Sequence, residues 1–177
     1  MIKKLSKKAS LLSALVLTMA LFAGCSNEKE NQKVADIEVK TIATKELQDK
    51  LSDDSWVVVD TRINDAFNGW KLDEVERGGH IKGAVDFSAN WLTVDSKDKE
   101  KTLDKALETK GIEKDKNIVL YDANGKDAKE VANYLSEKGY KNLYTYNVAD
   151  WAKDESLPME SYENYEMIVP ATIVNDI

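Results

Sequence analysis

The hydrophobic pattern changes period several times along the chain, and each change predicts a different element. "WVVVD" and "NIVLY" are short continuous apolar runs, typical of strands buried on both faces of a parallel sheet. "NLYTY" predicts a third strand and "AVDF" a weaker one. The segments "KELQDKL", "DKEKTLDKALETKGI" and "KDAKEVANYLSEKGY" carry the apolar spacing of amphipathic helices. We expect the first of these helices to begin at an N-cap on Thr44.

Strands and helices therefore alternate, and short loops connect them. This order predicts an α/β fold, an open parallel sheet with helices on both faces. Functional loops in such sheets lie at the carboxyl ends of the strands. The two candidate loops are those that follow Asp60 and Tyr121.

Residues 1–24 carry a different pattern, a lysine-rich start followed by an apolar run. The run "LLSALVLTMALF" is shorter than the ~20 residues that span a bilayer, so we predict an export signal. It ends in "LFAGC", where small residues before Cys25 resemble the lipobox of bacterial lipoproteins, with Phe22 in place of the usual leucine. The resemblance implies cleavage before Cys25 and its acylation, which would anchor the exported protein to the outer face of a bacterial membrane.

Charge and rare residues narrow the function classes further. The whole chain carries −7, and residues 1–24 hold four lysines and no acids, so the form that begins at Cys25 carries −11. An acidic chain with scattered lysines does not favour nucleic-acid binding. Cys25 is the only cysteine and His80 the only histidine, which leaves no disulfide and no multi-histidine metal site within this sequence. No phosphate-binding or dinucleotide glycine motif is present, and we expect no cofactor and no metal.

Two motifs resemble those of the rhodanese family. The first, "VVVDTRINDAF…GGHIKGAVDF", holds Asp60 and Arg62 at a strand end and then Gly79, His80 and Gly83. The second joins "IVLY", a glycine-containing loop, a helix and "GYKNLYTYNVADW". The resemblance covers residues 39–151 and implies a rhodanese-like fold. It also implies that Arg62 forms an internal ion pair and that His80 belongs to a structural turn.

In active members of that family, the residue just after the second strand is a cysteine. Its loop turns successive N–H groups inward at a helix N-terminus, which holds a thiolate that accepts sulfur as a persulfide. Here that position holds an aspartate, which can fill an anion site but cannot form a persulfide. The resemblance thus implies no catalytic residue in this chain. The equivalent of the family's active loop, called loop 122–127 below, consists of Asp122, Ala123, Asn124, Gly125, Lys126 and Asp127.

The resemblance is greatest to the N-terminal domain of tandem sulfurtransferases, which is commonly non-catalytic and often has aspartate at this position. "YENYEMIVPATIVNDI" looks like the linker and first strand of a second such domain. We therefore predict four segments. They are a lipoprotein signal peptide at 1–24, a lipidated cysteine and flexible tether at 25–38, a rhodanese-like domain at 39–158, and a linker with the start of a truncated second domain at 159–177.

The leading interpretation is a non-catalytic scaffold half of a thiosulfate or mercaptopyruvate sulfurtransferase, with the active cysteine elsewhere. Its partners would be the membrane, through Cys25, and a second rhodanese domain or another protein. The alternative is a stand-alone degenerate module that binds a partner protein or a small anion. A hydrolase with Asp122 as nucleophile and Asp127 as base has no further support in the sequence. Arg77 and Lys126 are candidates for contacting an anion near the loop, and Trp70 for facing a partner domain.

Overall fold

The computed structural model describes residues 39–167. Its strands are β1 (Lys40–Thr41), β2 (Trp56–Asp60), β3 (His80–Ile81), β4 (Val85–Asp86), β5 (Asn117–Asp122), β6 (Leu143–Asn147) and β7 (Met159–Glu160). Its α-helices are α1 (Thr44–Lys50), α2 (Asn64–Asn68), α3 (Lys99–Thr109), α4 (Lys126–Glu137) and α5 (Val148–Ala152). Two 3-10 helices, Ala89–Thr93 and Tyr165–Met167, complete the described part. No helix within it is long and apolar enough to span a membrane.

Five strands form one parallel sheet in the order β1-β6-β5-β2-β4. The two apolar runs of the sequence, β2 and β5, lie side by side, with Val58 opposite Val119. Because β5 is the middle strand, its carboxyl end lies at the centre of the sheet edge. The predicted fold class, an open parallel sheet with helices on both faces, is confirmed.

The continuous apolar runs have two buried faces because alternate residues of a strand point to opposite sides. On one face, Ile118 and Leu120 pack with Leu103 of α3 and Val131 of α4. On the other face, Val119 and Tyr121 of β5 pack with side chains of α1 and α5. These two layers hold the end of β5 in a fixed position.

Thr44 is not the N-cap of α1, and this prediction was wrong. The helix begins at Thr44, its N-cap is Ala43, and no side chain caps it. The Thr44 hydroxyl instead forms a hydrogen bond of 2.8 Å with the Tyr146 hydroxyl of β6. A tertiary contact to the neighbouring strand has replaced the local cap.

Residues 159–167, assigned to the linker from sequence, lie against the domain. β7 pairs antiparallel with β3, and the Tyr162 N–H donates to the Asn68 carbonyl at 2.8 Å. The Tyr165 ring packs edge-on against Trp70 at 5.5 Å. The predicted signal peptide, Cys25 and the rest of the tether to residue 38 lie outside the described residues, as does the predicted strand after residue 167.

Candidate functional site: the loop between β5 and α4

Loop 122–127 connects the central strand to the amphipathic helix predicted to follow it. β5 ends at Asp122 and α4 begins at Lys126. Gly125, the N-cap of α4, has φ +80, a left-handed conformation that glycine adopts at little cost. The Asn124 side chain accepts a hydrogen bond of 3.0 Å from the Lys126 N–H. The loop is thereby turned so that its backbone closes over the end of β5.

The Asp122 carboxylate fills the space enclosed by this loop. Its Oδ1 accepts from the Gly125 N–H at 2.7 Å, and its Oδ2 accepts from the Ala128 N–H at 3.1 Å. The residue is only 1% exposed. A buried carboxylate is stable when backbone N–H groups at a helix N-terminus bind it. The protein thus supplies its own anion to the donors that could bind one.

Asp127 lies in the first turn of α4, beside this carboxylate. Partial burial raises the pKa of Asp127, and the charges of Asp122, Asp73 and Glu130 raise it further, while Lys126 opposes the shift. The surroundings of the loop are therefore net acidic. Among the described residues, no group of three or more His, Cys, Asp or Glu side chains is arranged to hold a metal ion.

The Asp60–Arg62 pair lies at the carboxyl end of β2, next to β5. The guanidinium binds Asp60 through two bonds, Nε to Oδ1 at 2.9 Å and Nη2 to Oδ2 at 2.6 Å. Nη2 also donates to the Gly79 carbonyl at 2.8 Å. Both side chains are buried, so this is an internal ion pair that connects two loops.

Tyr121 is a site residue that the sequence analysis did not single out. Its ring lies 5.6 Å from the Arg62 guanidinium, and its hydroxyl accepts from the Ile81 N–H at 3.2 Å. Burial raises the pKa of Tyr121 well above its ordinary value, and the charge of Asp60 adds to the effect. The phenol therefore stays neutral and structural. A tyrosine inside an apolar strand needs a partner for its hydroxyl, and that requirement was the available signal.

His80 and Gly83 lie in the turn around β3. The His80 Nδ1 atom donates to the Phe67 carbonyl at 2.8 Å, and its ring stacks on the Phe67 ring at 3.8 Å. Gly79 and Gly83 have φ +87 and +77. These residues hold the connection between α2 and β4, and they do not meet loop 122–127 through any hydrogen bond of the described residues.

Arg77 does not face the loop. Its guanidinium donates to four carbonyl oxygens that follow or end α5, those of Trp151, Ala152, Asp154 and Leu157. Four of its five N–H donors are thus engaged at the end of that helix, away from loop 122–127. Lys126 is exposed at the loop and remains a candidate. Trp70 is half-buried against Tyr165.

A cavity of about 220 Å³ opens beside the loop at the carboxyl edge of the sheet. It lies between the ends of three neighbouring strands, and its wall includes Thr41, Asp122, Asn124, Gly125, Thr145 and Asn147. Asn147 caps α5 by accepting from the Ala149 N–H at 2.9 Å. Sequence reasoning missed the contributions of β1 and β6, because β1 is only two residues long and gives no periodic signal.

Comparison with known proteins identifies the family. The rhodanese-like domain family matches residues 43–152, which include four of the five strands of the sheet, all except β1. This chain belongs to the rhodanese-like domain family. The predicted rhodanese-like domain is therefore confirmed, and the match supports a sulfurtransferase-like family. The individual roles assigned to its site residues stay predictions.

Solved structures similar to this rhodanese-like domain include that of wild-type EanB, with 32% sequence identity and a TM-score of 0.69 over 78% of this chain and 31% of EanB. Another is the anaerobic ergothioneine biosynthesis enzyme from Chlorobium limicola with its natural substrate trimethyl histidine, at 32% identity and a TM-score of 0.69 over 78% of this chain and 32% of that one. A third, with the same values, holds ergothioneine covalently linked with a cysteine persulfide. The chain spans less than a third of the length of these proteins.

Proposed function

We propose that this rhodanese-like domain is the non-catalytic scaffold half of a sulfurtransferase, lipid-anchored through Cys25 on the outer face of a bacterial membrane. One observation carries the proposal. The Asp122 carboxylate accepts the Gly125 and Ala128 N–H groups that would otherwise be free to bind a thiolate or persulfide. The single cysteine of the sequence, Cys25, precedes the domain and would carry the lipid, so sulfur would have to be carried by a cysteine elsewhere.

Two further facts support a partner with the active cysteine. The chain corresponds to under a third of EanB, one structure of which carries a persulfide on a cysteine. The segment "YENYEMIVPATIVNDI" resembles a linker and a first strand in sequence, and its residues 162–167 lie against the domain. We propose a thiosulfate or mercaptopyruvate sulfurtransferase in which a second rhodanese domain, in the same polypeptide or in a partner, binds the sulfur.

The intact mass of the native protein, extracted from its membranes with detergent, tests both the anchor and the tandem arrangement. Our proposal predicts a protein that begins at Cys25, carries acyl groups, and has about twice the mass of residues 25–177. A native protein with an unmodified Cys25 would rule out the proposed lipid anchor. A lipidated product with only the mass of residues 25–177 would rule out a tandem arrangement within one polypeptide. The second rhodanese domain would then have to belong to a partner protein.

The cavity beside loop 122–127 favours a second candidate, a stand-alone module that binds a partner protein or a small anion. Its position at the carboxyl edge is typical of ligand sites in parallel sheets. Sedimentation and thermal unfolding distinguish the two functions. A module is expected to be a stable monomer whose unfolding temperature does not change when an active rhodanese domain is added, whereas a scaffold half is stabilised by that addition.

A further inference from the structure

Helix α3 separates its charges into two sides. Glu100 and Asp104 face α4, where both bind Lys138, at 3.0 and 2.7 Å. The opposite flank presents lysines separated by small residues, as the helical repeat of 3.6 residues predicts for this sequence. We call this flank the lysine face; it consists of Lys99, Lys101, Thr102, Lys105, Ala106, Thr109 and Lys110.

The lysine face is concave and partly apolar. Along one side runs a depression of about 370 Å³ lined chiefly by the apolar side chains of Trp91, Val94, Leu103 and Ala106. On the other side is a depression of about 500 Å³, whose wall includes three lysines and a single acid, Asp98. Val94 is 53% exposed, which makes it one of the few large apolar side chains on the described surface. Lysines thus lie beside an exposed apolar strip.

Two lysines of this face, Lys101 and Lys105, remain available for an external anion. Within residues 39–167, neither Lys99 nor Lys101 forms a salt bridge; Lys99 donates to the Leu92 carbonyl. Lys105 pairs with Glu108 at 2.9 Å, but both side chains are largely exposed, so the pair is weak. Lys99 and Lys110 are held more firmly, Lys99 by the Leu92 carbonyl and Lys110 by Asp86 and the Trp91 ring.

We propose that the lysine face docks on an anionic lipid surface, with the ammonium groups on lipid phosphates and Val94 and Trp91 at the headgroup boundary. The inference rests on the proposed membrane anchor. A cationic patch beside apolar and aromatic side chains is the composition that favours an anionic membrane interface. The form that begins at Cys25 carries −11, so an anionic surface repels most of the protein and leaves the lysine face as the side that can approach.

The anchor makes even a weak surface contact effective. A lipid on Cys25 would keep the domain beside the membrane at a high effective concentration, at which a weak second contact is occupied. One acyl signal together with a cationic patch also binds membranes more durably than either alone. The domain would then lie on the bilayer in one orientation.

Co-sedimentation with lipid vesicles tests this proposal without the lipid anchor. The protein is the chain that begins at Ser26; all described core residues lie between Ile42 and Leu157, so this chain keeps the complete domain. The vesicles contain either phosphatidylcholine alone or an equal mixture with phosphatidylglycerol. We expect binding to the anionic vesicles only, and its loss in high salt, which screens the lysines.

The variant Lys101→Glu/Lys105→Glu is expected to lower the partition coefficient at least about tenfold, since each exposed lysine contributes to binding near an anionic surface. The matched control, Lys129→Glu/Lys141→Glu, makes the same charge change on exposed residues of other elements and is expected to lower it much less. Val94→Ser is expected to weaken binding without changing its salt dependence. Circular dichroism establishes that each variant is folded.

An equal loss in both double variants would overturn the proposal, because binding would then follow net charge alone. The absence of binding to anionic vesicles would overturn it too and leave an acidic protein as the occupant of the lysine face. This test does not depend on acylation of Cys25, which the native mass measures separately. Failure of the docking proposal and failure of the anchor are therefore distinguishable.

Discussion

At the residue scale, one side chain determines what loop 122–127 can do. The loop's donors are arranged for an anion, and Asp122 supplies it. A thiol in the same place would be stabilised as a thiolate by the same N–H groups. The difference between a sulfur acceptor and a scaffold can thus be tested at a single position.

Asp122→Cys is expected to produce a thiol with a pKa below the ~8.5 of an unperturbed cysteine, because the Gly125 and Ala128 N–H groups and the start of α4 favour the charged form. The rate of alkylation by iodoacetamide as a function of pH measures it. Asp122→Cys/Asp127→Asn serves as a comparison, since it removes a neighbouring negative charge and should lower the thiol pKa further. A pKa at or above ~8.5 in both would contradict the assigned loop geometry.

Asp127 makes stability depend on pH. Burial and neighbouring carboxylates raise its pKa in the folded state, so the folded protein keeps this proton to a higher pH than the unfolded chain does. The stability that protonated Asp127 provides relative to its charged form is fully present below the pKa of the unfolded chain. It is lost as the pH rises through the pKa of Asp127 in the folded protein. Asp127→Asn should therefore unfold at higher urea concentration than the parent at neutral pH. This difference in urea concentration between variant and parent should disappear as the pH falls towards 3.8, the ordinary pKa of the carboxyl group. A difference that does not change with pH would refute the prediction.

The sequence could predict which residues matter but not how each one is used. Asp60 and Asp122 end β2 and β5, and Arg62 follows two residues after Asp60, at the sheet edge where the parallel fold places functional residues. Arg77 also seemed able to reach an anion, yet its four carbonyl partners come from residues 151–157, far along the chain. Tyr121 was hidden because an apolar run does not reveal which of its members carries a tertiary hydrogen bond. Such long-range partners have no local signal.

At the element scale, the long apolar and amphipathic segments were predictable, and the short ones were not. β2 and β5 are continuous apolar runs, α3 and α4 have helical periodicity, and all four appear where expected. β3 and β7 have two residues each and exist only because they pair with each other. Their pairing depends on how residues 161–165 pack against α2, and local sequence does not encode such a long-range contact.

The pairing of β3 with β7 gives a matched test in two glycines. A Cβ at Gly79 would lie 2.1 Å from the Glu160 carbonyl oxygen, whereas nothing lies within 4 Å of a Cβ at Gly83. Both have left-handed φ, so Gly83→Ala measures the backbone cost alone, about 1 kcal/mol. Gly79→Ala should lower the free energy of unfolding by at least about 3 kcal/mol, because β7 must also move. Equal losses in urea unfolding would mean that β7 is not held against β3.

At the scale of the whole molecule, the fold and its surface support different roles. The sheet and its two apolar layers follow from the hydrophobic pattern, and they hold a loop suited to an anion. The loop is filled by Asp122, while the lysine face of α3 offers the cations. We propose that this chain's own residues supply binding and positioning rather than sulfur transfer.

Sulfur loading of the chain that begins at Ser26 tests this account most directly. The protein is incubated with thiosulfate or mercaptopyruvate, its intact mass is measured, and cyanide is then added to detect thiocyanate. We predict no mass increase by a sulfur atom and no thiocyanate above a heat-denatured control. A sulfur adduct on the folded protein, or cyanide-dependent thiocyanate, would show that this domain carries out the chemistry that Asp122 is argued to exclude.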